Sequence, residues 1–185
     1  MALKATIFKA DVQIADMDRP YYGDHALTLA RHPSETDERM MLRLLAYALD
    51  AGDALAFGKG LSDEDEPDLW RHDLTGGIEL WVEVGLPDER RLRRACGRAA
   101  LVRVYAYGGQ AAELWWKKNA ADLARNPNLA VLGVPHAGSQ ALARLAQRTM
   151  RLQVTVQEGQ VWVGDDTRSV ALELAAWKDA AIAAR

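Results

Sequence analysis

Residues 66–85 read EPDLWRHDLTGGIELWVEVG, and the alternation in the second half of this stretch decides the fold class. From Ile78 to Val84 the aliphatic side chains fall on one face of an extended chain, while Glu79, Trp81 and Glu83 fall on the other. This period of two predicts a central β-strand. The strand follows an acidic loop that carries a Pro-Asp pair.

The segments on either side of this strand extend it into an α/β unit. Residues 35–50 predict a helix that Ser34 would cap and Gly52 would end. A short strand precedes the acidic loop, PDLW is compatible with one helical turn, and a helix and a strand, LVRVYAY, follow the central strand. The order helix, strand, loop, strand, helix, strand over residues 35–107 predicts a mixed sheet flanked by helices, an α/β (α+β) fold.

Hairpins are predicted at both ends of this core. Residues 3–31 alternate as two strands around a turn, and TMRLQVTVQ and QVWVG are joined by Glu158 and Gly159. SVALELAAW extends the second hairpin as a third strand or forms a short helix, so residues 110–176 contribute helices and a hairpin. Because no linker or repeat divides the chain, we expect one domain over residues 1–185.

Composition and charge narrow the class of protein. The 185 residues are 49% hydrophobic and 26% charged, with a net charge of -3, which argues against a general nucleic-acid coating protein. The single cysteine excludes an internal disulfide and a multi-cysteine zinc site. No apolar run approaches the ~20 residues that span a bilayer, and Lys4 and Lys9 interrupt the start of the chain. We expect a cytoplasmic protein that does not associate with membranes.

Asp68 and Glu83 are the leading candidates for chemistry. Mg²⁺ and Mn²⁺ prefer oxygen ligands, and Mg²⁺ often takes one or two protein carboxylates together with substrate phosphates. Glu79 shares a face with Glu83, but four strand residues separate the two by roughly 13 Å, so Glu79 is excluded from the same ion. The alternative is that Asp68 caps the PDLW turn and that Glu83 is a solvated strand residue.

Charged helix residues supply further candidates. Glu38 lies in the first turn of the first predicted helix and could approach the metal, or serve only as an electrostatic cap. Arg91, Arg94 and Arg98 recur at spacings of three and four, so they form one basic edge of the later helix that could bind a phosphate backbone. The same basic edge could instead pair with the acidic cluster of residues 63–73.

Several segments resemble the YaeQ family of bacterial proteins, in the same order and across nearly the whole chain. They are MALKATIFKADVQIADMDR (1–19), LARHPSETDERMMLRLLAYALD (29–50), DEDEPDLW (63–70), VGLPDERRLRRAC (84–96) and RTMRLQVTVQEGQVWVGDD (148–166). That family is similar to the PD-(D/E)xK nuclease superfamily. The resemblance therefore implies a restriction-endonuclease-like mixed sheet, with the hairpins at both ends as additions to it.

The resemblance also implies roles for individual residues. It places Asp68 at the aspartate of the PD motif and Glu83 at the second acidic position, with Glu38 near the acidic residue that the first helix often contributes. Gly85 stands where the superfamily normally has a lysine, on the same strand face as the glutamate. Some superfamily members carry the basic residue on the following helix, which nominates Arg94 here ahead of the other two arginines of the basic edge.

These features lead to one main functional hypothesis and two alternatives. The first is a Mg²⁺- or Mn²⁺-dependent nuclease or phosphodiesterase, in which an arginine replaces the lysine and cannot act as a base because it stays protonated. The second is a non-catalytic nucleic-acid-binding or regulatory protein that keeps the nuclease-like fold. The third is a protein-binding face built from Trp115, Trp116 and the C-terminal hairpin.

Overall fold

The computed structural model describes residues 4–181, which form eleven β-strands and four α-helices. The strands are β1 (Thr6–Asp16), β2 (Tyr21–Arg31), β3 (Leu55–Phe57), β4 (Leu69–His72), β5 (Ile78–Val84), β6 (Ala99–Ala106), β7 (Leu129–Gly133), β8 (Thr149–Gln157), β9 (Gln160–Gly164), β10 (Ser169–Glu173) and β11 (Ala175–Lys178). The helices are α1 (Asp37–Asp50), α2 (Glu89–Arg98), α3 (Gln110–Leu123) and α4 (His136–Ala143). No helix among these residues is both long and apolar enough to cross a membrane.

The described chain divides into two compact units. Unit 1 comprises the residues up to Asp50 together with Ala137–Leu174, and unit 2 comprises Ala51–His136 together with the residues from Ala175. The predicted core of residues 35–107 therefore has its first helix in unit 1 and its strands in unit 2. The single domain over residues 1–185 stays a prediction.

Unit 1 contains a mixed sheet with the strand order β10-β9-β8-β1-β2. Both predicted hairpins are confirmed, since β1 is antiparallel to β2 and β8 is antiparallel to β9. The two hairpins join in one sheet, because β1 pairs in parallel with β8 and places Val12 opposite Leu152. Both β1 and β8 bury one face and expose the other, so their pairing joins two apolar faces into one buried face of the sheet.

The first helix, α1, begins later than the sequence predicts. Thr36 Oγ1 accepts a hydrogen bond from the backbone N–H of Arg39 at 3.1 Å, which is the geometry of an N-cap residue directly before the first helical residue. The predicted cap, Ser34, is wrong because its hydroxyl group bonds to His32 Nδ1 at 2.6 Å instead. α1 packs against β1 and β2.

Unit 2 contains a second mixed sheet with the strand order β11-β7-β6-β5-β4-β3. The strands β5, β6 and β7 are parallel, and the outer strands run antiparallel to their neighbours. On one face of this sheet Trp81 of β5 joins a buried cluster with Leu92 and Ala95 of α2. The predicted mixed sheet with helices packed on it is thus confirmed, and the central position of β5 with it.

The PDLW segment forms part of a strand and not a helical turn. Leu69 pairs with Val82 and Trp70 pairs with Trp81, so the segment enters β4 as an antiparallel neighbour of β5. The helical turn was predicted from four residues, too few to show a period of two. Pairing with β5 decides the conformation, because it satisfies backbone groups that one isolated turn would leave to water.

The segment SVALELAAW adopts the strand alternative, but in two pieces. Residues Ser169–Glu173 form β10 on the sheet of unit 1, and Ala175–Lys178 form β11, which pairs with β7 in unit 2. The alternation is imperfect because the two halves of the segment belong to different sheets, and a bulge between Ala176 and Lys178 shifts the register again.

Candidate active site

Asp68 lies immediately before β4, and both its backbone and its side chain form hydrogen bonds to β5 at the end of the β4–β5 ladder. Its N–H donates to Val82 O at 3.1 Å, and its Oδ2 accepts from the N–H of Val84 at 2.8 Å. The carboxylate therefore stands in for a backbone carbonyl at the end of the paired region. Asp68 is only 1% exposed, so it is a buried residue of the sheet and not the cap of a helical turn.

Glu83 lies near the end of β5, on the strand face that α2 covers. Its Oε1 accepts from Trp81 Nε1 at 2.8 Å and from Arg91 Nε at 2.7 Å. Within residues 4–181, both of these side-chain hydrogen bonds fall on Oε1, so Oε2 is the oxygen that would meet a further ligand. The residue is 5% exposed, so the alternative of a solvated strand residue is wrong.

The two carboxylates act on each other electrostatically. Burial raises the pKa of Glu83 above its ordinary value, and the Asp68 carboxylate raises that pKa further. The Arg91 guanidinium and the hydrogen bond from Trp81 lower the pKa of Glu83, but the net direction remains upward. At Glu83, the effects of burial and of the Asp68 carboxylate therefore outweigh that of Arg91, which favours a proton or a cation at this carboxylate.

Gly85 differs from its predicted geometry. β5 ends at Val84, and Gly85 has φ +125°, a conformation that residues with a side chain rarely adopt. Gly85 N–H still donates to Tyr105 O of β6 at 3.0 Å, so position 85 is where the chain turns out of the β5–β6 ladder. A Cβ at Gly85 would meet no atom within 4 Å, so the backbone conformation, and not a lack of space, selects glycine here.

The basic edge of α2 divides its contacts between Glu83 and the acidic loop. Arg91 donates to Glu83, whereas Arg94 Nη2 donates to Asp65 Oδ1 at 3.2 Å. Arg98 Nη1 donates to Asp65 O at 3.1 Å, and the Arg98 guanidinium lies 5.0 Å from the centroid of the Trp81 ring. The pairing between basic helix and acidic loop that the sequence left open is therefore present.

The remaining acidic candidates have hydrogen-bond or ion-pair partners of their own. Glu38 belongs to unit 1, where its Oε1 accepts a hydrogen bond from Ser139 Oγ at 3.1 Å. Glu79 pairs with Arg71 at 3.0 Å near the start of β5. Within residues 4–181 no group of three or more His, Cys, Asp or Glu side chains could hold a metal ion. The role of Glu38 as an auxiliary ligand stays a prediction.

The aromatic residues of the third hypothesis have partners inside unit 2. Trp116 stacks on Trp177 with ring centroids 6.0 Å apart, and Trp115 Nε1 donates to Pro87 O at 2.8 Å. The C-terminal hairpin that the hypothesis joins to them belongs to unit 1.

The position of Arg91 could have been found from the sequence by counting along both elements. Glu83 lies one residue before the end of β5, and the chain turns directly into α2, which begins at Glu89. A residue of the first helical turn therefore lies beside the end of the strand, whereas Arg94 is roughly 4.5 Å further along the helix axis. The short connection between β5 and α2, and not the charge pattern, therefore indicates which arginine lies beside Glu83.

Comparisons with known proteins agree with the resemblance seen in the sequence. A family model described as YaeQ protein matches residues 1–174. Relatives described as uncharacterized protein YaeQ are 49% identical in Salmonella typhi and 47% identical in Escherichia coli (strain K12), each over 178 residues, 96% of this chain and 98% of the relative.

Solved structures agree with the sequence comparison. The crystal structure of the YaeQ protein from Xanthomonas axonopodis pv. citri has a TM-score of 0.92 at 52% identity, covering 94% of this chain and 98% of that one. That from Pseudomonas syringae has a TM-score of 0.90 at 37% identity, covering 95% and 97%. The chain belongs to the YaeQ family.

Proposed function

We propose that this protein is a metal-dependent nuclease that hydrolyses phosphodiester bonds in nucleic acid. The observation that carries the proposal is the burial of two interacting carboxylates, Asp68 and Glu83, beside the guanidinium of Arg91. Resemblance to the PD-(D/E)xK pattern supports the same two carboxylates. Cations stabilise neighbouring carboxylates in a buried environment, so a metal ion between Asp68 and Glu83 would lower the cost of their burial, which supports a metal-binding role.

The donor set fits Mg²⁺ or Mn²⁺. Both ions prefer oxygen ligands, and Mg²⁺ commonly takes one or two protein carboxylates while phosphate oxygens and water complete its shell. Asp68 and Glu83 supply two carboxylates, and Glu83 keeps Oε2 clear of the hydrogen bonds on Oε1. When bound, such an ion supplies charge neutralisation at the scissile phosphate and a more acidic water.

The protein's own groups orient the site. Val84 N–H holds Asp68, and Trp81 Nε1 holds Glu83, so both carboxylates keep one orientation. Arg91 takes the role that the sequence assigned to Arg94, since it is the arginine at Glu83, and it would bind a phosphate oxygen as a fixed positive charge. Glu38 remains a predicted auxiliary residue.

Cleavage assays test the proposal directly. Single-stranded and duplex DNA and RNA would be incubated in Mn²⁺ with the wild-type protein, Asp68→Asn, Glu83→Gln and the double variant. We expect cleavage to fall more than about 100-fold in each variant, because the carboxylates would no longer hold the ion. Glu79→Gln is the matched control on the same strand and should cleave normally. Cleavage that survives in the double variant would refute the assignment.

A second candidate function is binding of nucleic acid without cleavage, which is favoured by the glycine at position 85 and by the basic edge of α2. A protein that only binds nucleic acid needs no lysine beside an attacking water, and its basic edge would still bind phosphates. This candidate predicts binding that weakens with salt and persists in EDTA, with no turnover in Mg²⁺ or Mn²⁺. Charge reversal at Arg94 and Arg98 that leaves binding unchanged would exclude it.

A further inference from the structure

We infer that the acidic segment Asp63–Glu66 occupies the basic edge of α2 in place of a nucleic-acid backbone, and that nucleic acid must displace this segment to reach Asp68 and Glu83. The inference rests on the proposed function, because it assigns a regulatory role to the loop beside the same site. It describes an autoinhibitory contact within unit 2.

Three arginines hold three consecutive residues of the acidic segment. Arg91 donates from Nη1 to Glu64 O at 2.6 Å and from Nη2 to Glu66 O at 3.1 Å. At the residue between them, Arg94 donates to the side chain of Asp65 and Arg98 donates to its carbonyl oxygen. The basic edge is therefore filled along its length by one short stretch of the chain.

The occupied groups are those that a phosphate backbone would use. Guanidinium groups bind phosphate oxygens through the same N–H donors that here bind carbonyl oxygens and one carboxylate. A polyanion that approached Arg94 and Arg98 would also meet the carboxylates of the acidic segment, which repel it. Nucleic acid and the acidic segment therefore compete for one surface.

The acidic segment is also joined to the candidate site through the chain and through Arg91. It leads through Pro67 directly into the buried Asp68, and a cavity of only about 10 Å³ remains where Glu64 meets the basic edge. Arg91 belongs to both features, because it holds Glu83 with Nε and the segment with Nη1 and Nη2. Removal of the segment would free two of the donor groups of Arg91 for substrate while its contact with Glu83 remains.

The contacts are weak enough to be exchanged. Arg94 and Asp65 are 58% and 74% exposed at their side chains, so water and salt screen their ion pair. The other three contacts are to neutral carbonyl oxygens. Phosphate oxygens carry a full charge and form stronger hydrogen bonds with guanidinium groups, so the exchange favours nucleic acid.

Binding measurements in EDTA separate this inference from catalysis. Fluorescence anisotropy with labelled single-stranded DNA and RNA of one sequence would compare the wild-type protein with Glu64→Gln/Asp65→Asn. The matched control is Asp53→Asn/Glu113→Gln, which removes the same charge from exposed positions of unit 2. We expect about threefold to tenfold tighter binding in the first variant and less than about twofold in the control. Equal gains in the two variants would overturn the inference.

A double-mutant cycle provides the second test. The gain from Asp65→Asn should vanish in an Arg94→Gln background, because the ion pair that the substitution breaks is already missing there. A gain that persists would show a general effect of net charge and would overturn the inference. Both residues are exposed, so neither change threatens folding.

Hydrogen–deuterium exchange completes the experiment. Binding of the DNA oligonucleotide should speed amide exchange in residues 58–67, and protection of this stretch would overturn the inference. Failure of cleavage in Mn²⁺ with loop-dependent binding intact would reject the proposed nuclease and leave the autoinhibitory contact standing. Cleavage in Mn²⁺, together with binding that the loop substitutions leave unchanged, would support the nuclease and overturn the autoinhibitory contact.

Discussion

Arg91 of α2 and Glu83 of β5 form an ion pair with Nε 2.7 Å from Oε1. The Glu83 side chain is 7% exposed and the Arg91 side chain is 26% exposed, so the pair lies at the boundary between core and solvent. The same guanidinium donates to two carbonyl oxygens of the acidic segment. One residue therefore joins the helix, the strand and the loop around the candidate site.

Removal of Arg91 should destabilise the protein. In Arg91→Gln the buried Glu83 loses its cationic partner, and we expect a loss of about 1–3 kcal/mol in the free energy of unfolding. The loss is smaller than for a fully buried pair because Arg91 is partly solvated. Urea denaturation measures it. Arg91→Gln/Glu83→Gln should recover part of the loss, and strictly additive effects of the two substitutions would contradict the coupling.

The stability of the protein should depend on pH through Glu83. The pKa of Glu83 is raised in the folded state, so protonated Glu83 contributes to the stability of the fold. This contribution is fully present below the pKa that Glu83 has in the unfolded chain, and it is lost as pH rises through the pKa that Glu83 has in the folded protein. Wild type should therefore lose stability relative to Glu83→Gln as pH rises from about 4. Denaturation of both proteins across pH 4 to 8 measures the difference. A constant difference would contradict the prediction.

A lysine at position 85 should not repair the site. Gly85→Lys forces a side chain onto a backbone with φ +125°, which should cost about 1–3 kcal/mol of stability. Because position 85 lies outside β5, the lysine should also fail to raise cleavage in Mn²⁺. Gly97→Lys, at an open helical position, is the control and should keep or slightly raise stability. Increased cleavage by Gly85→Lys would show that a lysine can function at this turn.

The start of α1 offers a test of capping. Thr36→Ala removes the side chain that accepts from Arg39 N–H, and we expect a loss of about 1 kcal/mol. Ser34→Ala is the matched control, and its effect should stay within about 0.5 kcal/mol because Ser34 does not cap the helix. Thermal denaturation of the two variants measures both effects. Similar losses in the two variants would restore Ser34 as a contributor to the helix start.

The strands with strong alternation could be predicted from the sequence, and those without it could not. Ile78–Val84 and Thr149–Gln157 alternate over seven and nine residues, and both form strands as predicted. The four residues of β4 are too few to show a period, so their strand conformation depends on pairing with β5. Helix α1 was predicted from its apolar stripe, but its first residue depended on which of two hydroxyl groups reached the backbone.

For the candidate site, the residue types could be predicted and their partners could not. The carboxylates Asp68 and Glu83 stand out as acidic residues beside a strand, and both are buried. Glu83 pairs with Arg91 and not with Arg94 because of where α2 lies along β5. The resemblance to nucleases placed position 85 on a strand face, whereas Gly85 lies just beyond β5 with φ +125°, where the chain turns out of the ladder.

By itself the sequence determined the period of each long element, the acidic and basic clusters, and the family. These properties are local or can be read by position along the chain. Tertiary structure alone decided that β1 pairs with β8, that Glu83 receives Arg91, and that the acidic segment fills the basic edge. Each of these contacts joins residues distant in sequence, and its partner is chosen by packing and by the need to compensate buried charge, neither of which a linear pattern contains.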